Sequence, residues 1–234
     1  MRNVAGALGI TAALALAAVA DSGSVTEPET GKSFPVTQEF GGQAHLLLGV
    51  GAREAYGTFN VYAAGFYVQT DSARTAWQRF LGREGASFIT GGQVNWAGLK
   101  DAGALYQWIH SSSFGKAIWM KFVRDVTGQQ VVDAYKETLR RSIDDFDAAA
   151  AQPPLKDFLD AVNHDVGNGS EMKLWTRGST AYVQMPGRSL VTIQNAASIV
   201  RPVWRIWFGP NPIQAPLRRG LVNNIENLGG PAAQ

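Results

Sequence analysis

From Gln43 onward the apolar residues change spacing several times along the chain. His45-Leu46-Leu47-Leu48-Gly49-Val50-Gly51-Ala52-Arg53 reads as a strand running into a glycine-rich turn. Phe59–Val68 (FNVYAAGFYV) reads as a second strand, rich in aromatic and β-branched residues. Its odd and even positions are both apolar, which predicts cover on both faces. Asp71 then opens a short helix with Ala73, Trp77, Phe80 and Leu81 at helical spacing, stopped by Gly82. A helix is expected over about 100–110 and a strand over 117–126. The longest helical stripe, Val131, Val132, Tyr135, Leu139, Ile143 and Phe146, predicts one helix from Gln129 to about Ala148. Pro153 and Pro154 end it, and a further helix carries Leu155, Phe158, Leu159 and Val162.

Three short strands follow, Glu171–Arg177, Thr180–Met185 and Ser189–Gln194, separated by Arg-Gly-Ser and Pro-Gly-Arg turns. The C-terminal part is helical again, with Ile199, Val203, Ile206 and Trp207, then a segment opened by Pro216. Strands, helices, strands, helices is not strict βαβ alternation. The expected class is α+β, an antiparallel sheet covered on one face by helices. No internal repeat and no linker divides the chain after Gln43, so one domain is expected.

The first twenty residues follow another pattern. Arg2 precedes an uncharged stretch from Val4 to Ala20 that ends in Ala-Val-Ala. This layout is that of a secretory signal peptide cleaved after Ala20, which predicts a periplasmic or secreted protein with no membrane span once it is removed. Residues 21–36 read as a flexible lead-in, and 226–234 as a C-terminal tail. The chain has no cysteine, which excludes disulfides, zinc-thiolate sites and thiol chemistry. A formal charge of +2 without a basic cluster argues against a nucleic-acid partner.

Motifs for chemistry are scarce. Gly49-Val50-Gly51 and Gly91-Gly92 lack the spacing of a phosphate loop, and there is no Gly-x-Ser-x-Gly elbow. His45, His110 and His164 are scattered and build no ligand set, so no metal or other cofactor is expected. A haem held by one axial histidine such as His45 is a third-ranked reading. Arg53 stands out, because it lies just after a buried-looking strand, and a guanidinium near an apolar sheet surface needs an anionic partner. That partner is either internal, such as Asp125 or Asp133, or a ligand carboxylate or phenolate, which suits the planar fork of arginine.

Five segments carry a resemblance to the chalcone-isomerase-like family. They are Thr30–Pro35 (TGKSFP), Leu48–Arg53 (LGVGAR), Val61–Tyr67 (VYAAGFY), Lys121–Val126 (KFVRDV) and Trp204–Pro210 (WRIWFGP). The resemblance implies that residues 37–225 form one chalcone-isomerase-like domain, with a ligand cleft between sheet and helices. In the plant isomerases an arginine binds the substrate phenolate, and Thr, Tyr and Asn side chains polarise the ketone or complete the cleft. Arg53 matches that arginine. Counted from nearby glycines, the other positions hold Tyr62, Val131, Thr138 and Ile206. Polarising groups of this kind are worth about 2.7–4 kcal/mol each, so their loss argues against catalysis. Arg with Tyr in this pair of positions resembles the fatty-acid-binding members of the family. The resemblance thus implies a non-catalytic protein that binds a fatty acid or similar apolar anion through Arg53 and Tyr62, with Val131, Thr138 and Ile206 along the ligand. The runner-up is an intramolecular lyase acting on a phenolic enone, with Arg53 and Tyr62 as its catalytic residues.

Overall fold

The structure is a computed structural model that describes residues 23–55 and 59–229. The expected signal peptide lies outside the described residues. The segment read as a flexible lead-in is instead a hairpin from Ser24 on. Its strands β1 (Ser24–Thr26) and β2 (Ser33–Pro35) pair antiparallel. Glu27 ties the loop between them, accepting from the Thr30 amide at 2.8 Å. Phe34, which the polar composition around it disguised, is fully buried.

The main sheet begins with β3 (Thr37–Phe40), β4 (Gln43–Ala55) and β5 (Phe59–Gln69), all antiparallel. α1 (Thr70–Leu81) follows directly and stops at Gly82, as expected. A two-stranded hairpin, β6 (Ile89–Thr90) and β7 (Gln93–Val94), leads into α2 (Trp96–Asp101). The single helix expected over 100–110 is therefore two. Asn95 caps the first by accepting from the Gly98 amide at 3.0 Å, and extended Ala102 separates it from α3 (Gly103–Ser111).

β8 (Lys116–Phe122) joins the sheet beside β5 and ends earlier than its sequence pattern predicts. The long helix is also shorter than expected. α4 (Gly128–Leu139) starts with a Thr127–Gln130 capping box and ends before Arg140. Asp145 then takes a left-handed conformation (φ 47°), and α5 (Phe146–Ala150) restarts behind it. Consecutive Asp144 and Asp145 favour turns over helix, and the break lets Phe146 turn into the core. α6 (Leu155–Val162), β9 (Glu171–Arg177), β10 (Thr180–Gln184), β11 (Val191–Ile193), α7 (Ala197–Phe208) and α8 (Ala215–Gly220) complete the chain. A final 3-10 turn, Ile225–Gly229, buries Ile225 and Leu228, so the tail is packed up to Gly229.

The seven-stranded sheet has the order β11-β10-β9-β8-β5-β4-β3. Helices cover one face, in the expected α+β architecture. On that side Leu48, Tyr62, Phe66, Ile118 and Met120 join the large core with α1, α3, α4, α6 and α7. The opposite face carries a smaller core of Phe34, Phe40, Leu47, Tyr67, Trp119 and Trp175, which the β1–β2 hairpin helps to close. Tyr67 donates its hydroxyl to the Pro35 carbonyl at 3.0 Å. Gly65 is the contact point, since a side chain there would meet the Phe34 ring at 2.7 Å.

Candidate functional site: an arginine opposite a buried tyrosine

Arg53 and Tyr62 are direct cross-strand partners on β4 and β5, and Tyr62 is opposite Phe122 on β8. Side chains so paired stand about 5 Å apart at Cβ and share one face of the sheet. The face is the helix-covered one, because Tyr62 and Phe122 belong to the large core. A bulge between Leu47 and Gly49 sets this parity. Without the extra residue, Arg53 would project from the other face.

The glycines of β4 explain what lies over Arg53. A side chain at Gly49 would strike the Gly220 carbonyl at 2.3 Å, and one at Gly51 would meet Leu217 at 3.1 Å. Their absence lets α8 rest on the strand backbone. That placement brings Gln214, just before α8, over the end of β4. Its Oε1 accepts from the Glu54 amide at 2.9 Å and from Arg53 Nη1 at 3.5 Å. Among the described residues no carboxylate forms an ion pair with Arg53. The two internal candidates are engaged elsewhere. Asp125 accepts from the Asn168 amide, and Asp133 from Gln129 Nε2. Arg53 is partly buried, so its charge is neither fully hydrated nor neutralised.

Tyr62 is buried, with the Phe122 ring centroid 5.5 Å from its own. Burial pushes its hydroxyl above the ordinary phenol range, while the nearby Trp207 indole N–H and Arg53 pull it part of the way back. Tyr135 on α4 is buried close by, and burial together with Tyr62 raises it likewise. Both phenols therefore keep their protons at neutral pH and act as donors. Trp207 Nε1 approaches Tyr62 without making a hydrogen bond of normal geometry, and it is a buried donor without a partner. Such a group costs about 1–3 kcal/mol when left unsatisfied.

The remaining expected positions fall in the same core. Val131 and Thr138 are buried on α4 and Ile206 on α7. Val131 and Ile206 present only hydrocarbon. The Thr138 hydroxyl is given to the Ala134 carbonyl one turn back, at 2.6 Å. Sequence reasoning missed Gln214, Trp207 and Tyr135 as neighbours of the pair. In the sequence Tyr135 and Trp207 read only as parts of apolar helix stripes. For Gln214, the signal was the pair of small residues on β4 that marks where another backbone comes close. Two surface grooves, of about 430 and 650 Å³, are lined by other residues.

The histidines divide by environment. His45 shares a hydrogen bond of 2.8 Å between Nδ1 and the Gln43 carbonyl and meets the Phe40 ring edge-on. Burial lowers its pKa. His110 is buried with Nδ1 unpartnered, and His164 is partly exposed. Among the described residues no group of three or more potential ligands gathers for a metal, and no helix is long and apolar enough to cross a membrane.

A search of curated proteins finds no match. Among solved structures, the crystal structure of a fatty-acid binding protein of Arabidopsis thaliana superposes with a TM-score of 0.64. The two are 19% identical, over 88% of this chain and 98% of that one. At this identity the likeness concerns the fold. The family model described as chalcone isomerase-like matches residues 100–223, more than half of the sequence. Sheet order, helix placement and the matched segment agree, and the chain belongs to the chalcone isomerase-like family.

Proposed function

We propose that the protein is a non-catalytic member of its family that binds a fatty acid or a similar apolar anion, with Arg53 and Tyr62 gripping the charged head. The observation that carries this reading is a partly buried guanidinium whose strongest partner among the described residues is an amide oxygen at 3.5 Å, opposite a tyrosine that retains its proton. Arg53 offers two parallel N–H groups to a carboxylate, and a neutral Tyr62 adds an O–H. Trp207 Nε1 supplies a third donor from the helix side. Val131, Thr138 and Ile206 line the direction an apolar tail would take. α4 packs on α7 here, so a tail enters by parting them. The structurally similar plant protein named for fatty-acid binding supports the same ligand class. We further propose that the N-terminal segment exports the protein to the periplasm or beyond.

An intramolecular lyase is the weaker reading. Val131 and Ile206 have no group to stabilise a developing enolate, and Thr138 has spent its proton on Ala134. Displacement of a fluorescent fatty acid by palmitate tests the proposal. Arg53→Ala should weaken binding about tenfold to hundredfold, from the roughly 1.5–3 kcal/mol of hydrogen bonds involving a charged group. Arg53→Lys, which keeps charge but loses the fork, should fall between. Unchanged affinity in a variant with wild-type circular dichroism would remove the clamp. Cyclisation of a phenolic chalcone that depends on Arg53 would replace binding by catalysis.

A further inference from the structure

A second place in the fold gathers positive charge, on the far side of α7 from Tyr62. Ile206 and Trp207 face the core, while Arg201 and Arg205, one turn apart, lie on the outer side. With Tyr106, His110, Ser142 and Arg218 they line a groove of about 650 Å³ between α3, α7 and α8. Among the described residues no acidic side chain lines it. Among the described residues none of the three arginines has a salt-bridge partner.

The groove also holds unsatisfied polar atoms. Among the described residues Arg205 Nε and Arg218 Nε are buried donors without partners, as is the ring nitrogen Nδ1 of His110, which is only 7% exposed. Arg218 is held in place: its guanidinium stacks 4.2 Å from the Tyr106 ring centroid, and Nη1 donates to the Gly209 carbonyl at 3.2 Å. Like charges brought together without counter-charge raise the energy of the fold unless an anion joins them. The contrast with the other groove is informative. There Arg79 Nε donates to the Thr75 carbonyl and Arg177 Nη2 to the Tyr182 hydroxyl, whereas beside α7 only Arg218 of the three arginines has an internal acceptor among the described residues.

We propose that the groove beside α7 is a binding site for a phosphate-bearing anion. Three guanidinium forks outnumber the two oxygens of one carboxylate, whereas a phosphate brings more oxygens and a second negative charge. The volume leaves room for the organic part that carries the phosphate. The site is separate from the Arg53 pair and does not rest on the function proposed for it.

His110 reports on occupancy. Burial, then Arg201 and Arg205 on α7 and Lys116 on β8, lower its pKa to about 4, with Tyr106 on its own helix and Arg218 on α8 completing the wall. A bound anion offsets that field and raises the value, which the ring signals of His110 register directly.

Calorimetry with inorganic pyrophosphate, together with the His110 ring signals by NMR, tests the site on the full chain. Binding should shift those signals and weaken at least tenfold in Arg205→Gln and in Arg201→Gln, the latter at an exposed position where misfolding is not at issue. Arg79→Gln and Arg53→Ala should bind pyrophosphate as the wild type does. A parallel arm uses flotation with phosphatidylglycerol vesicles against phosphatidylcholine vesicles. Arginine-dependent binding of vesicles alone identifies a lipid headgroup as the source, and binding of pyrophosphate a soluble phosphate. Binding of neither, or binding indifferent to both arginine substitutions, overturns the proposal. Failure here together with palmitate binding that depends on Arg53 leaves the first site standing.

Discussion

Lys116 and Arg53 project from the same face of the same sheet, yet they meet opposite fates. Both lie beside β5: Arg53 is opposite Tyr62, and Lys116 is opposite Val68, about 20 Å along the strand. Neither has a carboxylate partner among the described residues. Lys116 is almost fully buried, but the protein itself supplies acceptors. Its Nζ donates to the carbonyls of Ser112 at 2.5 Å and Phe114 at 3.2 Å, with the Phe114 ring centroid 4.5 Å away. Arg53 is less buried and has one amide oxygen at long range. A buried positive charge is therefore no sign of a ligand by itself. The sign is a charge whose acceptors the fold leaves out.

The largest way to break this contrast is to open the wall around Lys116. Trp204 is fully buried, donates Nε1 to Thr176 Oγ1 at 2.8 Å, and lies with its ring centroid 6.0 Å from the lysine nitrogen. Trp204→Ala should cost about 3–5 kcal/mol, seen as a lower urea midpoint. Water admitted to the space should also carry the lysine back toward its ordinary pKa. A loss under 1 kcal/mol would mean that the ring is not part of the enclosure.

A smaller effect follows from protons alone. Burial lowers the Lys116 pKa to about 7 from the usual 10.5. Between those values the unfolded chain holds a proton that the folded one has released, so stability rises with pH through this window. Below 7 the amine is charged in both states and its burial cost is fully present. The gain from pH 7 to 9 is about 2 kcal/mol. Lys116→Met should flatten that slope in denaturation curves, and an unchanged slope would assign it to other groups. Arg53→Ala, at the other end of the sheet, should leave that slope alone.

Why one cation was legible and the other was not has a physical reason. Arg53 stood out because it follows a glycine-punctuated apolar strand, and the family resemblance paired it with Tyr62 on the next strand. Lys116 sits where β8 begins, next to the polar Ser111–Ser113 run, and nothing local tells that its amine folds under an aromatic lid. The same limit applies to Gln214, more than 150 residues from Arg53: a contact of that range depends on how α8 docks. The groove beside α7 was hidden likewise, since Arg201 and Arg205 read as the polar stripe of an amphipathic helix until His110 and Arg218 are seen across from them. Breaks in helices were missed for a different cause. Apolar periodicity continues through Ile143 and Phe146, and only the left-handed turn at Asp145 shows that the stripe belongs to two helices.

The smallest expected effect sharpens the comparison most. Gln214→Ala removes the one described side-chain acceptor of Arg53 and the partner of the Glu54 amide. Both groups lie near the surface and can turn to water, so the stability loss should stay within about 0.5–1.5 kcal/mol. Affinity for palmitate carries the information. If Gln214 only occupies the guanidinium until an anion arrives, its removal frees that donor and binding should hold or tighten by a fewfold. If Gln214 instead aims the guanidinium, binding should weaken although the charge is intact. The sign of the single variant separates the two, and Arg53→Ala combined with Gln214→Ala checks the premise they share. The double variant should bind as Arg53→Ala does, because the glutamine acts on the ligand only through the arginine it holds, and a further loss would mean that Gln214 touches the ligand itself.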